Sequence, residues 1–175
     1  QKEFQLLINS STANFNHIDV DNSMTNVETV INTPSAGNLE FYAQAFSSRA
    51  VVSIPGIANI PANAVIHKAI LELPIQYQTG ANYYPGSALT VSRRESTGSD
   101  SLIFTGAFAV YDDFTKQFDV DIRNHVQQIV NGEITDTDLV LSPLSFITSV
   151  DRVIFNGAQT GNKVQPKISI LYTEF

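Results

Sequence analysis

At 175 residues with 43% apolar side chains, the chain is long enough to bury a core and too apolar to be disordered, and it reads as one domain over residues 1–175. Its formal charge is −7, and its Lys and Arg residues are scattered apart from the pair Arg93-Arg94. An acidic chain without a basic stripe repels phosphate backbones and anionic lipid surfaces, so nucleic acid and membrane surfaces are not expected partners.

Cysteine is absent, which removes disulfides, thiolate catalysis and Cys-based zinc sites. No apolar run approaches the length of a membrane span. The chain opens on Gln1 rather than Met, so a processed or truncated chain is expected, with any signal peptide or lipid anchor upstream. Abundant Ser, Thr, Asn and Gln between short apolar runs favour strands and loops over long helices.

Phe4, Leu6 and Ile8 alternate with polar or smaller neighbours and predict a first strand. Asn9 to Asn16 is loop-like, and Val27, Val30 and Ile31 fit either a short strand or a helical turn. Residues 39–54 predict two strands, or one bent near Ser47-Ser48, stopped by Pro55-Gly56. Val65–Ile75 gives the strongest strand, with Val65, His67, Ala69, Leu71, Leu73 and Ile75 expected on one face. Ile66, Lys68, Ile70, Glu72 and Gln76 are expected on the other. Pro74 marks an edge or bulge near its end. Gln76–Gly86 is a loop, Leu89, Val91 and Arg93 form a strand, and Phe104, Phe108 and Val110 belong to one or two more before an Asp112-Asp113 turn.

Phe118–Pro143 is the clearest stretch: strand, helix, glycine stop, strand. A helix over about Ile122–Asn131 follows from Ile122, Val126, Ile129 and Val130 at i, i+4, i+7 and i+8. Asp119 or Asp121 can cap its start, and Gly132 can take the left-handed conformation that ends it. Strands at 139–141, 153–155 and 168–172 complete the count. Eight to ten strands about ten residues apart predict an all-β fold: a two-sheet antiparallel β-sandwich, jelly-roll-like, with one short α-helix.

The segments Ala64–Ile75, Phe118–Val126, Leu139-Val140-Leu141-Ser142-Pro143, Arg152–Gly157 and Pro166–Thr173 also carry a resemblance. In order and spacing, over about residues 40–173, they resemble the domain of unknown function 4270 family of secreted bacterial lipoproteins. More distantly, the pattern is similar to DNRLRE-type β-sandwiches attached to extracellular carbohydrate-active proteins. The resemblance implies a secreted or cell-surface bacterial module behind a lipoprotein signal, and it supplies no catalytic motif.

Three kinds of chemistry can be weighed from the residues. The histidines, His17, His67 and His125, have no metal-ligand spacing, and packed structural roles are expected. Asp19 and Asp21 offer alternate oxygens like the start of a calcium loop, but Met24 and Val30 stand where an EF-hand needs Gly and Glu. Only an irregular calcium site would remain, and no other cofactor is expected. A glycosidase needs two carboxylates roughly 5–10 Å apart, and Glu40, Glu72, Glu95 and Glu133 cannot be paired from sequence, so no catalytic residue is assigned and the chain is not expected to be an enzyme. The candidate ligand patch is the aromatic-amide loop Gln76, Tyr77, Gln78, Tyr83 and Tyr84, with Glu72 on the neighbouring strand face. The expected function is therefore a non-catalytic surface module binding a glycan or a cell-surface protein, or a structural or adhesive module without a small ligand.

Overall fold

The computed structural model describes residues 19–76, 85–96 and 98–175. Among these, nine strands and two α-helices follow in the order α1 (Asn26–Asn32), β1 (Glu40–Gln44), β2 (Ala50–Ser53), β3 (Val65–Pro74), β4 (Ala88–Arg94), β5 (Leu102–Asp112), β6 (Gln117–Asp121), α2 (Arg123–Val130), β7 (Asp138–Pro143), β8 (Arg152–Asn156) and β9 (Lys167–Thr173). Two proline-started 3-10 turns, Pro34–Asn38 and Pro55–Asn59, flank β1 and β2. The run 39–54 is thus two strands, and they belong to different sheets.

Seven strands make one antiparallel sheet in the order β2-β7-β4-β5-β6-β3-β9, and β1 pairs with β8 in a second. The chain is therefore an all-β, sandwich-like fold. The small sheet closes over the large one through aromatic contact. Phe41 of β1 stacks on Phe155 of β8 at 4.8 Å, and Phe155 meets Phe118 of β6 at 6.1 Å. Phe118, Phe155, Leu73, Leu89 and Leu141 are fully buried, so the inward faces of both sheets share one core. A bridge between Ile75 and Phe155, with Gln76 N–H donating to the Ile154 carbonyl at 2.8 Å, ties the end of β3 to β8.

Two expectations from the sequence need correction. The first is the helix count. Residues 26–32 form α1, capped by Thr25, whose hydroxyl accepts from the Glu28 N–H, while the Glu28 carboxylate accepts from the Met24 N–H. Only Val27 of α1 is buried, so a hydrophobic stripe was too short to announce it. The second concerns β3. The register against β9 slips between Ile66 and Lys68, so Ile66 is buried and both Val65 and His67 are exposed. A β-bulge flips every side chain before it to the other face. His67 consequently faces solvent and bonds the Thr173 hydroxyl at 2.8 Å. Of the one or two strands expected around Phe104, Phe108 and Val110, the structure has one, the long β5. Pro74 lies beyond the last β9 partner of β3, the pair Glu72 and Lys167, so its missing N–H costs the β9 ladder nothing.

Candidate ligand-binding site

The site is built from α2 and the β4–β5 hairpin, which line the same two cavities. Asp121 accepts the Arg123 N–H at 2.9 Å, and Ile122 N–H donates to Ala69 of β3, so the start of α2 is fixed to the sheet. Ile122, Val126 and Val130 bury their side chains. Gly132, at φ +74, ends the helix with its N–H on the Ile129 carbonyl. The capping oxygen is that of Asp121; Asp119 instead bonds the Gln117 side chain. Gln127 splints the helix to β3: its Oε1 accepts the Ile66 N–H at 2.8 Å and its Nε2 donates to the Ala64 carbonyl at 3.2 Å.

Opposite α2, β5 is interrupted. Val91 pairs with Ala107 but the next residue, Ser92, pairs with Phe104, so Thr105 and Gly106 have no partner on β4. Gly106 takes φ +83, a conformation open to glycine at little cost. The Thr105 hydroxyl donates to the Val91 carbonyl at 2.7 Å and accepts the Ala107 N–H, which closes the bulge. Its effect is on two aromatic rings. In a regular strand, residues 104 and 108 stand roughly 13 Å apart, four steps of about 3.3 Å. Here they sit opposite Ser92 and Thr90, and their rings meet edge-to-face at 5.1 Å and 60°. Each ring remains 49% exposed.

Two adjoining cavities open between the bulge and the helix. One, of about 250 Å³, is walled by Gly106, Phe108, Asp121, Arg123 and Leu139. The other, of about 430 Å³, is walled by Arg93, Ile103, Phe104, Gln128 and Glu133. Thr105, Asn124 and His125 border both, so they form the ridge between the two lobes. The Asn124 and Gln128 amides have no partner among the described residues. Asp121 and Glu133 already serve donors, the latter accepting from the Asn131 amide at 2.9 Å.

His125 is the buried base of that ridge. It is 3% exposed, and neither ring nitrogen meets a protein donor or acceptor. Burial lowers its pKa, the Arg93 charge lowers it further, and Asp136 opposes both, so the imidazole is neutral at pH 7. Asp136, just before β7, accepts the Asp138 N–H at 2.9 Å through one oxygen and keeps the other buried without a partner.

The residues singled out from sequence lie elsewhere. Tyr77, Gln78, Tyr83 and Tyr84 fall outside the described residues. Gln76 is half-buried and its Nε2 donates to Glu40 at 2.6 Å. Glu40 also accepts from the Asn26 amide at 2.8 Å and from the Tyr42 hydroxyl, which burial and the Glu40 carboxylate hold in its protonated form. Gln76 is thus one corner of a clamp joining α1, β1 and the end of β3. Glu72 lies on the outer face, as expected, 3.8 Å from Lys167 of β9, and so has a different partner from Gln76. Asp21 accepts the Ser23 N–H at 2.8 Å, and this turn lowers its carboxyl pKa. The described residues hold no group of three or more His, Asp or Glu placed to share a metal ion.

No family model, curated protein or solved structure matches the chain. The function is therefore read from the cleft itself.

A third concavity, of about 520 Å³, is mostly apolar and borders both edges of the large sheet, with Val52 and Ile54 near β2, Ile168 of β9, and Val30 and Ile31 of α1 on its walls. Its walls also carry Asn38, Ser48, Arg49, Ser53 and Lys167.

Proposed function

We propose that the chain is a non-catalytic extracellular or cell-surface module that binds a glycan in the cleft between the β5 bulge and α2. The observation that carries this reading is the pair of half-exposed rings, Phe104 and Phe108, on the rim of a cleft lined by the exposed amides of Asn124 and Gln128. Sugars present one apolar C–H face and a ring of hydroxyls. An aromatic face beside amide donors and acceptors matches both halves of that surface. The two carboxylates of the cleft each already accept a hydrogen bond, Asp121 from the Arg123 N–H and Glu133 from the Asn131 amide, which favours binding over hydrolysis.

The surface location rests on the resemblance of the segments over about residues 40–173 to secreted lipoproteins. No helix among the described residues is long and apolar enough to cross a membrane. A second reading, binding to a cell-surface protein, is favoured by one feature: Leu144, Ile147 and Val150 are exposed together on the loop between β7 and β8.

Glycan-array binding followed by affinity electrophoresis in neutral polysaccharide gels separates these readings. The unsubstituted chain is expected to bind and be retarded. Phe104→Ala with Phe108→Ala should abolish the retardation, while Tyr83→Ala with Tyr84→Ala should leave it. The reverse pattern would move the site to the tyrosine loop, and an absence of binding on every glycan would leave the protein-binding reading.

A further inference from the structure

Resting on that glycan-binding reading, we infer that the cleft takes a neutral glycan of at least two linked sugar units, one in each lobe, laid across the ridge of Thr105, Asn124 and His125. Four observations converge on this. The two lobes are separate cavities that share only those three residues. Each lobe has its own aromatic wall, Phe108 in the smaller and Phe104 in the larger. The two rings are inclined at 60°, so one sugar ring stacked on either face stands at a steep angle to the other. Two sugar rings joined by a rotatable glycosidic bond can each lie on one face, whereas a single unit leaves one ring against water.

The fourth observation is charge. The smaller lobe is lined by Asp121 and Arg123, and the larger by Arg93 and Glu133, so each carries one charge of either sign. The whole chain is at −7. A carboxylated or sulfated sugar meets no net positive charge at the site and a repulsive field around it. The hydrogen-bonding groups that remain are the Asn124 amide on the ridge and the Gln128 amide in the larger lobe, both suited to hydroxyls. Beneath them the buried His125 ring is uncharged, so the ridge adds no charge of its own.

The test is calorimetric titration of the full chain with gluco-, xylo- and manno-oligosaccharides of one to four units, and with oligogalacturonates of the same lengths. Affinity for at least one neutral series should rise about tenfold or more between one unit and two, the gain expected from a second aromatic anchor. The oligogalacturonates should bind more weakly at every length. Phe104→Ala and Phe108→Ala should each bring the disaccharide back to within about threefold of the monosaccharide. Both rings are half exposed, so both variants are expected to fold. Gln128→Ala, a change to a solvent-facing amide, repeats the test in the larger lobe alone and should weaken the disaccharide several-fold while sparing the monosaccharide. Equal affinity for one unit and two, or tighter binding of the galacturonates, would overturn the two-unit neutral site while leaving glycan binding intact. Failure of every sugar to bind would overturn both.

Discussion

His125 is a polar residue placed where an apolar one would pack. Its two nitrogens are buried without partners, a situation that costs roughly 1–3 kcal/mol per unsatisfied group. The charged groups that act on it are Arg93 from β4, which opposes protonation, and Asp136 from the segment before β7, which favours it. Burial and Arg93 prevail, so the folded-state pKa lies below the unfolded value of 6.5. The unfolded chain therefore takes up a proton at this position first as pH falls. Stability attributable to His125 is complete above about pH 6.5 and is lost progressively as pH drops through the folded-state value. Urea unfolding at pH 7.5 and pH 5.5 should show a fall in midpoint for the unsubstituted chain that shrinks in His125→Leu. The difference between the two proteins isolates the contribution of His125. An identical fall in both would refute the assignment. His125 also shows how far a single residue is legible. From sequence it flanks the helix stripe, and packing was the natural reading; packed it is, but the missing hydrogen bonds depend on what β4 and the segment before β7 bring near it.

At the scale of elements, α2 was readable because three independent signals agree: the Ile122, Val126 and Val130 stripe, the Asp121 cap and the Gly132 stop. α1 was not, because seven residues with one buried side chain give no periodic signal. β3 was readable as a strand yet its first three residues were assigned to the wrong faces, since alternation holds only between bulges. The agent at that irregularity is Gln127, whose amide supplies a donor and an acceptor to the backbone at Ala64 and Ile66, just ahead of the slip. Gln127→Ala leaves a partly buried N–H and carbonyl without those partners and should cost about 1–3 kcal/mol in denaturant unfolding. Gln127→Met keeps the length without the hydrogen bonds and should cost a similar amount. A loss under about 0.5 kcal/mol in both would mean that the splint is dispensable.

For the whole molecule, the antiparallel sandwich-like architecture follows from short alternating runs and regular turn spacing, and that much was legible. The candidate site was not. Phe104 and Phe108 look in sequence like two more core positions on alternating strands, and only the unpaired Thr105-Gly106 brings their rings together on the outside of the sheet. The one local clue is Gly106 inside an apolar run, a known mark of a bulge. The tyrosine loop drew attention instead because its aromatics are adjacent in the chain, whereas the cleft is assembled from β4, β5 and α2, which the fold brings together. The measurement that bears most directly on this account is an amide-resolved NMR titration of the full chain with the tightest-binding neutral oligosaccharide. Shifts concentrated at residues 103–108 and 122–128 are the expected result. Shifts confined to 76–86, or to the loop between β7 and β8, would contradict it.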